Sequence, residues 1–163
     1  EVVCTETRPR FQGRKTAKSL LEGGVKTTLI ADSAAESFAI SRGSVPIDAV
    51  FIGCDQITAN GHTINKIGSW GIAMAAYYAG KPVYVVTPLL KVDPTSFLES
   101  VKIEVRESKE LWEDAPKGLH MYNPAFEIVD SSLITGYLTE FGMVMPSNVE
   151  SIVKENYSWI FDN

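Results

Sequence analysis

The most constraining feature of this chain is a regular alternation of short apolar runs and helical patterns over its first ninety residues. The apolar runs are four to five residues long and rich in β-branched side chains, and they occupy 2–5, 27–31, 49–52 and 83–86. Helical patterns lie between them, at 13–22, 34–41 and 69–79. Short runs that are apolar on both faces are typical of strands buried in a parallel sheet. The alternation therefore predicts an α/β fold with a Rossmann-like, doubly wound parallel sheet.

The helical patterns differ in how their apolar residues are distributed. In the first, Ala17, Leu20 and Leu21 share one face, which is the spacing of an amphipathic helix. The pattern that starts at Ser69 is apolar nearly all round, so we expect this helix to be buried. After Pro88 the order is less regular, with an alternating apolar stretch at 101–105, a helix favoured at 133–138 and a final helix favoured at 146–156.

Size, charge and cysteine content exclude several classes of protein. The 163 residues, 45% of them apolar, predict one folded domain over 1–163. The net charge of −5, without a run of like charges, argues against nucleic-acid binding, and no apolar stretch is long enough to predict a membrane span. Two cysteines fit a reducing, cytoplasmic environment. Because Glu1 directly precedes a strand pattern, we expect the chain to be the C-terminal part of a longer protein.

Unusual polar residues follow the predicted strands, at the edge where open parallel sheets bind ligands. Asp55 comes soon after the third strand, where partial desolvation would suit a carboxylate to acid/base work. Arg8 follows the first strand and can bind an anion, while Gln12 can orient a sugar hydroxyl. The plain alternatives are a turn aspartate or a partner for Arg8, a solvated arginine, and a glutamine that only precedes a helix.

The segment from Asn65 to Ser69 leads directly into the apolar helix. Free backbone amides and the helix dipole make such a turn suitable for phosphate, and Gly68 with Ser69 would provide those amides. Lys66 would add a positive charge. The alternative reading is an ordinary N-cap at Ser69 and a solvated Lys66, and the segment does not match the P-loop pattern.

We expect no metal and no cofactor. His62 and His120 are too far apart in sequence to show metal-ligand spacing, and no glycine-rich dinucleotide fingerprint follows the first strand. Cys54 adjoins a strand, where a thiol is more often inert core than nucleophile.

Several ordered motifs together resemble the superfamily of initiation factor 2B-like sugar-phosphate isomerases. They are Glu6-Thr7-Arg8-Pro9-x-x-Gln12-Gly13, Gly53-x-Asp55-x-Ile57-x-x-Asn60-Gly61, Asn65-Lys66-Ile67-Gly68, Asn123-Pro124-Ala125-Phe126 and Thr139-Glu140-x-Gly142. The resemblance covers nearly the whole chain and implies the fold above, together with a helical N-terminal domain that this chain lacks. It implies a homodimer that converts an aldose phosphorylated at its anomeric carbon, ribose 1,5-bisphosphate or methylthioribose 1-phosphate, into a ketose. A non-catalytic regulatory subunit of the translation factor, binding a sugar phosphate or nucleotide, is the alternative.

The same resemblance implies residue roles. Asp55 matches the catalytic aspartate, Gln12 a substrate-binding glutamine, and Asn65 with Lys66 the sugar-phosphate-binding pair. The catalytic cysteine of the family lies upstream of the first motif, so we expect this chain alone to be inactive. Joint presence of Asp55, Gln12 and the Asn65–Lys66 pair favours an isomerase over a regulatory subunit. Cys54 and Gln56, which flank Asp55, depart from the usual isomerase residues and leave the subfamily open.

Overall fold

Ten strands and four α-helices form the fold within residues 1–161, the part of the chain that the computed structural model describes. The strands are β1 (Val2–Thr5), β2 (Thr27–Ile30), β3 (Val50–Ile52), β4 (Gln56–Thr58), β5 (Thr63–Lys66), β6 (Val83–Val86), β7 (Val92–Asp93), β8 (Phe126–Val129), β9 (Gly136–Thr139) and β10 (Gly142–Val144). The helices are α1 (Gln12–Glu22), α2 (Ala35–Ala39), α3 (Ser69–Tyr78) and α4 (Val149–Asn156). Short 3₁₀ turns precede α2 and α4.

Parallel pairing dominates the strands that the sequence predicted. β1 pairs with β2 in parallel, and a second sheet has the order β10-β9-β6-β3, in which only β10 runs antiparallel to its neighbour. A third, mixed sheet has the order β7-β4-β5-β8. The predicted α/β class and its parallel strands are confirmed.

The core lies on one face of the sheet that contains β3, β6 and β9. Val50, Ile52, Val83, Val85 and Tyr137 point to this face, and each is at most 8% exposed. Small or β-branched residues of α3 and α4 pack against them: Ala73, Ala76, Val149 and Val153. Full burial of a valine or isoleucine contributes about 1.5–3 kcal/mol, so this layer is the main source of stability around the third predicted strand.

The opposite face of the same sheet is open, which differs from the expectation of strands buried on both sides. Phe51 is 60% exposed, Val86 53% and Met143 60%. The strand register places these three side chains on one face. Phe51 is opposite Tyr84, which is two residues from Val86 on β6 and so points the same way. Val86 and Met143 are in turn both opposite Leu138. Periodicity shows which residues are apolar, but whether they are covered depends on elements far away in sequence.

Helix α3 is also only half buried. Ala73 and Ala76 are fully covered, whereas Tyr77 is 61% exposed and Tyr78 83%. The expectation of a fully buried helix was therefore wrong, for the same reason.

The prediction of a helix over 133–138 was also wrong. A 3₁₀ turn ends at Leu133 and the chain then forms β9, which pairs in parallel with β6. Thr135 anchors this pairing, since its backbone N–H donates to the Val83 carbonyl oxygen at 2.8 Å. Pairing with the edge of β6 satisfies backbone groups that an isolated single-turn helix would leave open. The final helix is confirmed as a 3₁₀ turn, Pro146–Asn148, that continues into α4.

Gly13 fixes the first turn of α1 against the end of β1. A Cβ atom at this position would lie 1.7 Å from the Thr5 carbonyl oxygen, so any other residue would force the helix away from the strand. The preceding loop is held by Asp32, whose carboxylate accepts hydrogen bonds from the backbone N–H groups of Thr7 (2.8 Å) and Arg8 (2.6 Å). These contacts determine where Arg8 and Gln12 lie.

Replacing Gly13 by alanine should therefore lower the free energy of unfolding by about 3 kcal/mol or more, because overpacking against backbone leaves no flexible neighbour to move. Gly23→Ala at the other end of α1 is the matched control, since a Cβ there would lie 3.4 Å from its nearest neighbour and φ is −78°. Urea denaturation measures both. Equal, small effects of the two substitutions would contradict the close approach of α1 to β1.

Candidate functional site

Arg8 and Gln12 lie on the loop and first helical turn that follow β1. Arg8 is exposed, and its Nη2 donates to the Leu111 carbonyl oxygen at 2.8 Å. The guanidinium also lies 4.9 Å from the centre of the Phe11 ring. A guanidinium has five N–H donors, so several remain for an anion. Gln12 is exposed at the start of α1, where its amide is accessible.

Asp55 lies in the tight turn between β3 and β4, and its backbone is held on both sides. Its own N–H donates to the Ile64 carbonyl oxygen at 2.8 Å, and the Lys91 ammonium donates to the Cys54 carbonyl oxygen. Both polar atoms of the peptide that joins Cys54 to Asp55 are thus satisfied by other elements. The sequence did not indicate this role of Lys91, which follows β6.

The Asp55 carboxylate is exposed and, within residues 1–161, makes no hydrogen bond or ion pair. The expected partial desolvation is therefore wrong for this chain as it stands, because the β3–β4 turn projects the side chain out of the sheet. Neither plain alternative is seen either, since the carboxylate pairs neither with Arg8 nor with its own turn. A free carboxylate on a fixed backbone is available to a ligand.

Cys54 packs beneath this turn. It is 5% exposed, and its thiol donates to the Gln56 carbonyl oxygen at 3.1 Å. Burial raises the pKa of the Cys54 thiol to about 11, which keeps it protonated at neutral pH. The side chain is therefore a core residue that shapes the turn rather than a nucleophile.

Asn65 and Lys66 end β5, beside the Asp55 turn. A Cβ atom on Gly53 would lie 3.4 Å from Asn65 Oδ1, so the Asn65 amide is next to the backbone just before Asp55. Asn65 Nδ2 donates to Ser69 Oγ at 2.8 Å, and Ser69 Oγ donates to the Lys66 carbonyl oxygen at 2.6 Å. The half-buried Lys66 side chain places its ammonium 4.6 Å from the centre of the Phe126 ring. Asn65 therefore lies beside the backbone that leads into Asp55, whereas Lys66, the next residue of β5, is directed toward Phe126.

The start of α3, which the sequence assigned to phosphate, carries a carboxylate instead. Glu127 Oε1 accepts hydrogen bonds from the backbone N–H groups of Gly68 (2.6 Å) and Trp70 (2.8 Å). Ser69 is 6% exposed, and its hydroxyl is engaged by Asn65 and Lys66. Glu127 was missed as a capping residue because it lies 59 positions from Gly68 and reaches it only through the pairing of β8 with β5.

A segment of mixed charge, 104–112, connects the two sides of the candidate site. Leu111 receives the hydrogen bond from Arg8, and Arg106 pairs with Glu110 (2.7 Å) and Glu104 (3.3 Å). The hydrogen bond from Arg106 is the main cause that lowers the pKa of Glu110. The positive charges of Arg106, Arg10 and Lys66 lower it further. No motif in the sequence predicted that the segment 104–112 would lie beside Arg8.

No three His, Cys, Asp or Glu side chains in the described part of the chain are grouped so as to hold a metal ion. Likewise, none of the helices within residues 1–161 has the length and apolar character needed to cross a membrane.

The chain is similar to proteins named as sugar-phosphate isomerases and to proteins named as eIF-2B translation initiation factors. The chain is 44% identical to the methylthioribose-1-phosphate isomerase of Symbiobacterium thermophilum, over 93% of this chain and 44% of that protein. It is 42% identical to a 5-deoxyribose 1-phosphate isomerase of Clostridium botulinum, over 94% of this chain and 45% of that protein. The chain therefore spans a little under half the length of the curated relatives it matches.

The solved structures agree in fold. The 5-methylthioribose 1-phosphate isomerase from Pyrococcus horikoshii OT3 superposes with a TM-score of 0.82 at 32% identity, over 98% of this chain and 44% of that one. The translation initiation factor eIF-2B, subunit delta, from A. fulgidus gives 0.81 at 31% identity, over 100% of this chain and 47% of that one. The model of the initiation factor 2 subunit family matches residues 1–146. This chain therefore belongs to the initiation factor 2 subunit family.

Proposed function

We propose that this chain supplies the sugar-phosphate site of an aldose–ketose isomerase. The observation that carries the proposal is the exposed, unpaired Asp55 carboxylate on backbone that other elements hold in place, with the Asn65 amide beside that backbone. Acid/base groups that must act on a bound sugar need this combination of free carboxylate and fixed position. The names of the relatives at 42–44% identity support the same reaction class.

The chemistry follows from the substrate class. A phosphate on the anomeric carbon prevents spontaneous ring opening, so a proton must be delivered to the ring oxygen before hydrogen moves between C1 and C2. In this proposal Asp55 exchanges that proton, Lys66 and Arg8 attract the phosphate, and Asn65 and Gln12 bind hydroxyl groups. Gly68 and Ser69 leave this list of direct contacts, because protein groups occupy the Gly68 amide and the Ser69 hydroxyl.

Opening the ring needs an acid/base pair, and Cys54 is unsuited as the partner of Asp55 because its thiol is buried and its pKa is raised to about 11. The family resemblance assigns this role to a cysteine upstream of Glu6. We therefore propose that residues 1–163 bind the sugar phosphate but do not turn it over by themselves.

The substrate we favour is a sugar 1-phosphate without a second phosphate, such as methylthioribose 1-phosphate or 5-deoxyribose 1-phosphate. The names of the two relatives support this choice, and so does the wall formed by 104–112, where Glu104 and Glu110 already neutralise Arg106. A second phosphate beside Arg106 would meet the two carboxylates that already pair with this cation. Ribose 1,5-bisphosphate is the second candidate substrate.

A regulatory subunit is the second candidate function. The similarity to eIF-2B subunit delta from A. fulgidus, with a TM-score of 0.81 over the whole chain, favours it. Such a protein would keep the fold and bind a sugar phosphate or nucleotide without converting it.

Replacing Asp55 by asparagine in the full-length protein should abolish isomerisation while leaving the fold intact. We expect kcat to fall about a hundredfold to ten-thousandfold, the usual contribution of a general acid/base group. The free energy of unfolding should change by less than about 0.5 kcal/mol, because the side chain is exposed. Turnover of methylthioribose 1-phosphate and ribose 1,5-bisphosphate is followed by NMR, with the exposed Asp114→Asn as control.

Unchanged turnover in Asp55→Asn would remove Asp55 from the mechanism. A well-folded wild-type protein that converts neither substrate would instead support the regulatory subunit.

We also propose that the protein forms a homodimer through the open face of the β3-β6-β9-β10 sheet. Met143 is available there at 60% exposure, whereas the adjacent Val144 belongs to the core at 4%. Met143→Glu should shift the sedimentation equilibrium toward monomer, because a charge would have to be desolvated on association. A wild-type protein that sediments only as a monomer would contradict the proposal.

A further inference from the structure

The N-terminus of α3 concentrates positive charge next to Asn65 and Lys66, two of the residues proposed to bind the ligand. Helix starts carry unsatisfied N–H groups and about half a unit of positive charge, so an anion is stabilising there. In this chain the anion is the Glu127 carboxylate, which accepts from Gly68 and Trp70. We infer that Glu127 is a positioning residue, whose carboxylate takes the place of a bound anion at the start of α3 and thereby fixes Asn65 and Lys66 for the ligand.

The position of Glu127 is set by strand pairing rather than by the loop around it. β8 runs antiparallel to β5, with Glu127 opposite Asn65 and Phe126 opposite Lys66. A further backbone bond, from the Ile67 N–H to the Ala125 carbonyl oxygen at 3.2 Å, continues the pairing into the turn. The carboxylate therefore reaches the start of α3 from a rigid strand.

The carboxylate acts on Asn65 and Lys66 through Ser69. The two N–H groups bound by Glu127 belong to Gly68 and Trp70, the immediate neighbours of Ser69. Ser69 Oγ in turn accepts from the Asn65 amide (2.8 Å) and donates to the Lys66 carbonyl oxygen (2.6 Å). Glu127 is thus linked to Asn65 and Lys66 through the backbone on either side of Ser69 and the hydrogen bonds of the Ser69 hydroxyl. Loss of the carboxylate would free the turn on which both candidates depend.

This network also decides how phosphate can be held. Because Glu127 already occupies the Gly68 and Trp70 amides, the proposed function leaves phosphate binding to side chains, with Lys66 and Arg8 as the candidates. The assignment of phosphate to side chains rests on the proposed function. The hydrogen bonds by which Glu127 fixes the turn do not depend on it. The two parts therefore need separate measurements.

The test compares Glu127→Gln and Glu127→Asp with Asp130→Asn in the full-length protein. Asp130→Asn is the matched control, since this substitution removes a carboxylate just after the end of β8. The Asp130 carboxylate accepts a hydrogen bond from the Trp70 side chain, from Nε1 to Oδ2 at 2.9 Å, rather than from the backbone of α3. Amide hydrogen exchange at Gly68 and Trp70 reports the hold on the turn, and calorimetric titration with methylthioribose 1-phosphate and with inorganic phosphate reports binding.

For Glu127→Gln we expect exchange at Gly68 and Trp70 to accelerate about tenfold, and the affinity for methylthioribose 1-phosphate to fall about tenfold, as befits loss of a charge-assisted hydrogen-bond acceptor. Glu127→Asp keeps the charge on a shorter side chain and should restore part of both. Asp130→Asn should change neither.

Unchanged exchange and unchanged affinity in Glu127→Gln would overturn the inference. Tighter binding of inorganic phosphate by Glu127→Gln would also overturn it, because Glu127 would then be a competitor of the ligand. If wild-type protein binds no methylthioribose 1-phosphate, the proposed function fails, and exchange at Gly68 and Trp70 alone decides whether Glu127 fixes the turn. Circular dichroism confirms that each variant is folded.

Discussion

The position of Asp55, the central residue of the candidate site, depends on the parallel pairing of β3 with β6 and of β6 with β9. Parallel strands end at the same edge, so the residues that follow them meet there whatever their separation in sequence. The Lys91 ammonium, which follows β6, can therefore bind the carbonyl group next to Asp55, which follows β3. The buried layer of Val50, Val83 and Val85 makes this edge rigid. Side chains on a rigid edge keep fixed positions relative to a bound ligand.

Local patterns in the sequence predict the strands β1, β2, β3 and β6, because each is a short apolar run of chain. The runs that became β1 and β6 have the predicted bounds. What the sequence does not reveal depends on contacts between distant elements. Glu127 caps α3 from 59 positions away, and the stretch at 133–138 contributes to β9 because β6 offers it an edge.

The electrostatics of the site are arranged by protein groups before any ligand binds. One carboxylate, Glu127, is bound to backbone amides, and another, Glu110, is paired with Arg106. Asp55 differs from both, since it has no partner within residues 1–161. A site in which structural carboxylates are satisfied and one carboxylate is free is suited to proton exchange with a ligand.

The most direct test of this account is to map the ligand on the protein by NMR. Methylthioribose 1-phosphate is titrated into isotopically labelled protein, and backbone and side-chain shifts are followed. The account predicts that the largest changes concentrate at Arg8, Gln12, Asp55, Asn65 and Lys66. Saturable changes confined to another surface, or no change up to millimolar ligand in a folded protein, would contradict the claim that this edge of the sheet is a sugar-phosphate site.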